Sequence, residues 1–184
     1  MIPDFVAKLG PVCSAPLDFA ATGCVASITL TAETIHDAVA VMDKEGYLLE
    51  DVMGSDLEEG FELAYHFSLL DGANRVVLRL IVPHDAPKVP TISDIFVGAD
   101  WHERECFDFY GIDFVGHPNL HYLLLPEDCD CHPLIKEPKA RKALADLVPL
   151  AYLVDCGLAE PEPEPKPKAK PTPVAKAAPK SAKG

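Results

Sequence analysis

Two neighbouring segments alternate between apolar and polar residues with a period of two. In Phe61–Leu70 the odd-numbered residues are apolar, and in Arg75–Val82 the even-numbered residues are apolar and lie opposite Arg75 and Arg79. Successive side chains of a strand point to opposite faces of a sheet, so both segments are predicted strands, the first with one buried and one solvated face. The loop Asp71–Asn74 contains a glycine and predicts that the two strands form an antiparallel hairpin.

A strand followed by a helix is predicted before the hairpin. Cys24–Leu30 alternates as a strand, and apolar residues then recur at helical spacing over Ile35–Met42. Thr31 offers an N-cap hydroxyl and Gly46 a left-handed stop, so the helix is expected to lie between these two residues. The segment Tyr47–Gly54 is predicted to be a further short strand.

Two helices are predicted after the hairpin. Thr91–Ala99 is expected to form a short helix, and Trp101–Tyr110 a second one that ends at Gly111. Asp100 is followed three residues later by Glu103, a pair that predicts a capping box at the start of the second helix. The stretch that carries the densest set of charged and aromatic residues is therefore expected to be helical.

Prolines interrupt the chain beyond Phe114, so this region is predicted to be irregular apart from a short helix at Ala140–Leu147. Together the elements predict an α+β fold with two layers: a small mixed, mostly antiparallel sheet with helices on one face, followed by an extended irregular C-terminal segment. We expect one domain over residues 1–158 and a disordered tail over residues 159–184, because seven of the 18 prolines and six lysines lie in that tail.

Charge is distributed unevenly along the chain. The formal net charge is −13, but the tail carries six lysines against three glutamates, which leaves the first 158 residues with 10 basic and 26 acidic side chains. A body this acidic repels phosphate backbones, so nucleic acid is not an expected partner. No run of 18 apolar residues and no secretory signal is visible. We therefore expect a cytoplasmic protein without a membrane span, whose six cysteines are free thiols rather than a disulfide framework.

The predicted helix over Trp101–Tyr110 is compatible with more than one kind of site. Arg104 reaches Asp108 one turn away, and Glu103 and Glu105 flank the same arginine, a pattern that occurs most often on a solvated surface. Aromatic residues spread around the same helix, so part of the charged stripe is expected beside apolar surface. A charge in that position needs a partner.

Two clusters of candidate metal ligands keep a different function open. The first imitates the zinc helix of metallohydrolases, with a cysteine in place of the second histidine, and consists of His102, Glu103 and Cys106. The second reads C-D-C-H and would serve a small cytosolic protein that binds a metal or senses redox state; its candidate ligands are Cys129, Cys131 and His132. No phosphate-binding loop, dinucleotide fingerprint or nucleophile elbow occurs, so the chain is not self-evidently an enzyme.

The segment Ala99–Asp128 resembles a known family signature. The C subunit of NADH-quinone oxidoreductase, which is the 30 kDa subunit of respiratory complex I, typically reads W-x-E-R-E-x-x-D-x-[FY]-G-I-x-F-x-G-H-P-x-L, and this chain matches each specified position from Trp101 to Leu120. The segment Cys131–Pro138 is similar to the G-H-P-L-[RK]-K-[DE] motif that follows in the family. The related subunit of membrane-bound energy-converting NiFe hydrogenases shares this module. The resemblance covers residues 27–138.

The resemblance implies an accessory subunit without a cofactor of its own. It would sit in the peripheral arm on the cytoplasmic side of the membrane, docked on the large hydrogenase-like subunit, the D-type subunit of complex I, and close to an iron-sulfur subunit. Iron-sulfur clusters, and NiFe, FMN or quinone, would belong to partner subunits. No residue would be catalytic, and the residues expected to serve the interface or the fold are Trp101, Glu103, Arg104, Glu105, Asp108, Tyr110, His117, Pro118 and Lys136.

Four positions after the signature helix depart from the family pattern. Asn119 stands where the family usually has an aspartate, and Ile135 replaces a frequent arginine. The family usually carries an Arg-Arg pair where this chain has His121 and Tyr122, so two cations expected at the partner surface are missing. With Arg104 bridging the carboxylates around it, the helix is expected to be a docking and folding element.

Overall fold

The computed structural model describes residues 4–71, 74–129 and 131–146 together with Val154. The predicted domain boundary at residues 158–159 and the predicted disordered tail lie outside the described residues. No helix among the described residues is long and apolar enough to cross a bilayer.

A five-stranded sheet forms the centre of the fold, and its strand order is β1-β2-β5-β4-β3. Neighbouring strands are antiparallel except for β2 and β5, which run parallel. The prediction of a mixed, mostly antiparallel sheet in an α+β fold is therefore confirmed. The strands are β1 (Cys13–Pro16), β2 (Ala26–Thr29), β3 (Leu48–Asp56), β4 (Phe61–Ser68) and β5 (Val76–Val82).

Three α-helices and a second, two-stranded sheet accompany the main sheet in the described part of the chain. The strands of the small sheet are parallel and comprise β6 (Lys88–Pro90) and β7 (Asp113–Val115). The helices are α1 (Phe19–Thr22), α2 (Ile35–Lys44) and α3 (Ala99–Tyr110), and short 3₁₀ turns cover Asp4–Leu9, Pro138–Ala140 and Leu144–Asp146. The sequence predicts a single helix at Ala140–Leu147; two separate 3₁₀ turns lie there instead, and Leu147 is outside the described residues.

The main core lies between α2 and one face of the sheet. The predicted helical stripe of α2 is buried, and so are the odd-numbered residues of β4 from Phe61 to Phe67. Each large apolar side chain that is fully buried stabilises the fold by roughly 1.5–3 kcal/mol. The hairpin of β4 and β5 and the helix α2 are thus placed as their hydrophobic patterns predict.

The opposite face of β4 is less exposed than its alternation predicts. Glu62 and Ala64 are both buried: Ala64 packs with Cys24, Val77 and Leu17, and Glu62 pairs with Arg79 of β5 at 2.6 Å. The prediction of a solvated second face is therefore wrong for this half of the strand. Buried carboxylates require such a partner.

The predicted helix over Thr91–Ala99 does not form. This segment consists of isolated turns, in which the N–H groups of Ile95 and Phe96 both donate to the Ile92 carbonyl. Instead, Thr91 and Ile92 are held against α3, because the carboxylate of Glu103 accepts hydrogen bonds from the Thr91 hydroxyl and the Ile92 N–H. The predicted capping box is also wrong, since α3 begins after Gly98 without a side-chain cap and Asp100 lies within the helix.

The expectation that every cysteine is a free thiol is wrong. Cys13, on the edge strand β1, is disulfide-bonded. Cys24 and Cys106 carry buried thiols. A cysteine count predicts the redox compartment on average, and it does not predict the state of an individual cysteine pair.

Asp56, at the end of β3, ties the C-terminal segment to the sheet. Its buried carboxylate accepts hydrogen bonds from His84 Nε2 at 2.7 Å, from the Lys136 N–H at 2.7 Å and from Arg141 Nε at 3.0 Å. Burial alone would raise the pKa of Asp56, but these three donors outweigh it and hold the pKa below its usual value. The segment around Lys136 and Arg141 is thus held against the sheet by a buried ionic contact rather than by regular secondary structure.

We predict that Asp56→Asn lowers the free energy of unfolding at pH 7 by roughly 3 kcal/mol, because it leaves Arg141 without its buried counter-charge. Since the pKa of Asp56 is lowered in the fold, the stability it contributes is present at neutral pH and is lost as the pH falls through that pKa. Urea unfolding at pH 7 and below about pH 4 measures both effects. Glu58→Gln, an exposed carboxylate two residues away, is the control; equal stability of the two variants would contradict the prediction.

Candidate functional site

Helix α3 turns three of its charged residues inward. Glu103 and Asp108 are fully buried and Arg104 is only 8% exposed, whereas Trp101 on the same helix is 69% exposed. This is the reverse of an ordinary amphipathic helix, whose charged residues face water. Each buried charge must therefore be compensated inside the chain.

Glu103 is compensated by the segment that precedes the helix. Its carboxylate accepts a hydrogen bond from the Thr91 hydroxyl at 2.5 Å and one from the Ile92 N–H at 2.8 Å. The buried imidazole of His117 lies 3.8 Å away. Burial raises the pKa of Glu103 to about 7 against the opposing effect of those hydrogen bonds.

Arg104 is compensated mainly by backbone carbonyls. Its Nε donates to the His121 carbonyl at 3.1 Å, and its Nη2 donates to the Tyr122 carbonyl at 3.0 Å. Among the described residues, the carboxylate within ion-pair distance is that of Asp100, at 3.9 Å. The prediction that Arg104 bridges Asp108 and the flanking glutamates is therefore wrong, because the guanidinium points toward the loop after β7.

Asp108 completes the attachment of that loop. One of its carboxylate oxygens accepts hydrogen bonds from three successive backbone N–H groups, those of Leu123 at 2.9 Å, Leu124 at 2.7 Å and Leu125 at 3.2 Å. A carboxylate that accepts several N–H groups binds the backbone strongly. Arg104 and Asp108 together thus fix residues 121–125 against α3, one through carbonyls and the other through N–H groups.

The end of α3 packs closely on two other parts of the chain. Tyr110 donates its hydroxyl to the Gly54 carbonyl at 2.9 Å, and a Cβ at position 54 would lie 2.6 Å from the tyrosine ring. Gly111 ends the helix with φ +71°, and a Cβ there would lie 2.8 Å from the imidazole of His132. Both glycines permit contacts that a larger residue would block, the second also because of its left-handed backbone.

The remaining residues predicted for the interface lie in different environments. His117 has a buried side chain whose Nε2 lies 3.3 Å from the Asp100 carbonyl. Pro118 and Lys136 are exposed, and Lys136 contributes its backbone N–H to Asp56. Their role in an interface stays a prediction.

The solvent-facing side of α3 borders two depressions. One, of about 530 Å³, is lined chiefly by apolar residues around Trp101 that include Val97 and Leu124, both strongly exposed. The other, of about 380 Å³, lies between α3 and β3. His102 and Glu105 line both depressions. We call this continuous surface the outer face of α3; it consists of Met53, Val97, Trp101, His102, Glu105, Phe109, Leu124 and Leu134.

The geometry does not favour the predicted zinc helix. Glu103 points into the core toward Thr91, whereas His102 lines the outer face of the same helix. Cys106 is buried, and burial raises the pKa of its thiol to about 12, so the thiolate that a metal needs is disfavoured. Among residues 4–146 as far as they are described, no group of three candidate ligands is arranged to hold a metal ion.

The C-D-C-H cluster is also divided. Cys129 and Cys131 bring their Sγ atoms to 2.6 Å, but His132 turns its Nδ1 to the Asp108 carbonyl at 2.8 Å. The histidine therefore serves the end of α3 rather than the two thiols. This arrangement removes the third ligand that the sequence offered.

Three features of this site do not follow from the sequence patterns. They are the hydrogen bonds that Asp108 accepts from residues 123–125, the contact of Glu103 with Thr91, and the exposure of Val97. The first two depend on segments that approach α3 from outside the helix. The run of three leucines at 123–125 is the sequence signal that could have predicted an anchored loop, because three consecutive apolar residues are unusual on an unanchored surface loop.

Comparisons with known proteins identify relatives over the same region. The profile of the family described as "Respiratory-chain NADH dehydrogenase, 30 Kd subunit" matches residues 28–143. The C subunit of NADH-quinone oxidoreductase from Roseiflexus castenholzii is 40% identical over 94 residues, which are 50% of this chain and 54% of that protein. The C/D subunit of NADH-quinone oxidoreductase from Gluconacetobacter diazotrophicus is 40% identical over 101 residues, which are 54% of this chain and 16% of that protein.

The chain thus spans about half the length of the first of these relatives. A solved structure with the same fold is that of the membrane-bound sulfane sulfur reductase, an archaeal respiratory membrane complex. The match has a TM-score of 0.56 at 24% identity and covers 66% of this chain and 74% of the solved one.

We predict that Asp108→Ala releases residues 123–125 from α3. Three backbone N–H groups lose their charged acceptor, so the free energy of unfolding should fall by on the order of 3 kcal/mol. Amide hydrogen exchange at Leu123, Leu124 and Leu125 should become faster than in the wild type. Glu105→Ala, an exposed carboxylate on the same helix, is the control and should leave these amides unchanged. Slow exchange of the three amides in Asp108→Ala would contradict this account.

A second prediction concerns Glu103 and pH. Because the pKa of Glu103 is about 7 in the fold and about 4.3 in an unfolded chain, the folded protein holds an extra proton between these values. The wild type therefore loses stability as the pH rises through this window. Glu103→Gln lacks the titration, so the stability of the variant relative to the wild type should rise by up to about 3 kcal/mol from about pH 4.5 to pH 8.

The titration of neighbouring groups must be separated from that of Glu103. His117, Asp94 and Asp100 also face this carboxyl group, and they are retained in both proteins. Denaturant unfolding across the same pH range measures the difference, with Glu105→Gln as the exposed control. Parallel stability curves for Glu103→Gln and the wild type would show that Glu103 keeps an ordinary pKa.

Proposed function

Because this chain belongs to the family of the 30 Kd subunit of respiratory-chain NADH dehydrogenase, we propose that it is an accessory docking subunit in the peripheral arm of a respiratory membrane complex. The complex is of the NADH-quinone oxidoreductase type or the related membrane-bound hydrogenase type. The subunit supports electron transfer coupled to ion translocation by holding its neighbours in place. It carries out no catalysis by itself.

The outer face of α3 is the observation that carries this proposal. Trp101 is 69% exposed, and Val97 and Leu124 beside it are exposed as well, although the same helix buries three charged residues. A tryptophan at the rim of an apolar depression is a frequent anchor of protein interfaces. Contiguous apolar surface of this kind is rare on a protein that works alone.

The buried charges make this face rigid. Glu103 fixes α3 to residues 91–92, and Asp108 fixes the loop that carries Leu124 to the same helix. The apolar side chains on both sides of the depression are thus held in position before a partner arrives. Such preorganisation reduces the entropy lost on association.

The proposed partner is the large hydrogenase-like subunit, the D-type subunit of complex I. One relative is called a C/D subunit, and the matched part is 16% of its length, so that chain has ample room for a second module. Modules joined in one chain are held close together, which favours contact between them. A neighbouring iron-sulfur subunit is the second proposed contact.

The proposed partner surface has a definite chemistry. Glu105 is exposed at the middle of the outer face, between the two depressions, and Asp51 lines one of them. The fitting surface therefore presents apolar side chains to Trp101 and a cation to Glu105. Charge complementarity of this kind guides association and sets the register of the contact.

We assign the redox cofactors to the partner subunits. Iron-sulfur clusters, and NiFe, FMN or quinone, would lie there, while the ionisable side chains of α3 that are buried are committed to structural hydrogen bonds. The proposed location is the cytoplasmic side of the membrane, to which the chain is attached through the complex. A zinc-dependent activity has no comparable support in the geometry of His102, Glu103 and Cys106.

Replacement of the exposed tryptophan tests this proposal. Trp101→Ala removes the anchor of the outer face without touching the buried charges, so the free subunit should fold as the wild type does. Loss of an interface hot spot typically costs about 2–4 kcal/mol, which corresponds to roughly 30- to 1,000-fold weaker binding. Co-purification with the tagged large subunit from solubilised membranes measures the retained amount.

The matched control is Phe19→Ala, which removes another exposed aromatic residue outside α3. We expect Trp101→Ala to be depleted from the purified complex and Phe19→Ala to be retained. Full retention of Trp101→Ala would contradict docking through the outer face of α3.

A further inference from the structure

Two cysteines near α3 are placed as a reactive pair. The Sγ atoms of Cys129 and Cys131 are 2.6 Å apart, close enough that a disulfide bond between them requires only a small movement of the two side chains. Cys131 is exposed and Cys129 is partly exposed. Cys24 and Cys106, in contrast, are buried and cannot be reached by a reagent in solution without unfolding.

The backbone on both sides of the pair is fixed. Tyr122 donates its hydroxyl to the Cys129 carbonyl at 3.0 Å, and the Cys129 N–H donates to the Pro126 carbonyl at 3.0 Å. On the other side, His132 is held by its hydrogen bond to the Asp108 carbonyl. The proximity of the two thiols is therefore maintained by contacts outside the pair, so a bond between them requires little ordering of the chain.

We propose that Cys129 and Cys131 form a reversible dithiol–disulfide couple that exchanges with a small-molecule disulfide. This inference does not depend on the proposed function. The more exposed thiol, Cys131, is the expected first nucleophile, and Cys129 is the resolving thiol. The reaction requires no metal ion, and the neighbouring His132 takes no part in it.

The exchange proceeds in two balanced steps. The Cys131 thiolate attacks one sulfur of the oxidant RSSR, a mixed disulfide forms, and the first RS⁻ leaves and takes up the proton of Cys131. The Cys129 thiolate then attacks Cys131 Sγ, the Cys129–Cys131 bond forms, and the second RS⁻ leaves and takes up the proton of Cys129. Two protein thiols are thereby oxidised to one disulfide, and RSSR is reduced to two RSH.

The pair of Cys129 and Cys131 lies in a segment that packs against α3. Tyr122, which binds the Cys129 carbonyl, packs on Phe107 of α3 with ring centroids 5.6 Å apart. Asp108 supports both sides of this segment, through the N–H groups of residues 123–125 and through His132. Formation or loss of the disulfide is thus expected to alter a segment that adjoins Leu124 of the outer face.

Thiol mapping of the full chain tests the proposal. The reduced protein is treated with 2-hydroxyethyl disulfide, a neutral oxidant that the acidic surface does not repel, and is then quenched in acid and alkylated with N-ethylmaleimide. An endoproteinase that cuts before aspartate separates Cys129 from Cys131 at Asp130, so only a disulfide keeps the two fragments together.

We expect the wild type to yield the linked fragments without a bound hydroxyethyl group, and dithiothreitol to restore two alkylated cysteines. Cys129→Ser removes the resolving thiol and should accumulate the mixed disulfide on Cys131. Cys106→Ser, which lacks a buried thiol, is the matched control and should yield the same link as the wild type.

Two results would overturn the proposal. One is a wild-type protein that keeps hydroxyethyl groups on Cys129 or Cys131 without forming the link. The other is a link that joins either cysteine to a different one. The fragment map of the wild type decides between these outcomes even if a serine variant folds poorly.

Discussion

The burial of three charged residues on one face of α3 is the constraint on which the rest of the structure depends. The side chains of Glu103, Arg104 and Asp108 are buried away from solvent. A buried charge without a partner lowers the stability of the fold by several kcal/mol. The chain meets this requirement largely with backbone groups, which come from residues 91–92 before the helix and from residues 121–125 after it. Segments without regular structure thereby acquire fixed positions, and Asp56 plays the same part for the segment around Lys136 and Arg141.

This inward orientation determines what the helix presents to its surroundings. With three of its charged residues committed to the interior, α3 exposes Trp101 and Glu105 between two depressions, and the loop held by Asp108 adds Leu124. The signature that identifies the family therefore has two roles on one helix: the charged residues organise the chain, and the aromatic face is available to a partner. The family relationship is shown by the profile match, whereas docking through this face is our proposal.

Local patterns predicted β4, β5, α2 and α3, but they also predicted a helix over Thr91–Ala99 that does not form, and they missed β1, β6 and β7. The period of two over Phe61–Leu70 and the helical spacing over Ile35–Met42 report directly on which face is buried, and Gly111 ends α3 as a left-handed residue should. The partners of the charged residues were beyond such patterns. Spacing within a helix indicates Asp108 as the neighbour of Arg104, but the acceptors of Arg104 are carbonyls 17 and 18 residues away. Glu103 has the spacing of a capping residue, yet its true donors, Thr91 and Ile92, lie outside the helix.

A structure of the assembled membrane complex, determined by electron cryo-microscopy, tests the central claim most directly. The account predicts that Trp101 is buried against another subunit, while Arg104 still donates to the His121 and Tyr122 carbonyls of its own chain. A map in which Trp101 faces solvent, or in which Arg104 has left those carbonyls to bind a neighbouring subunit, would contradict it.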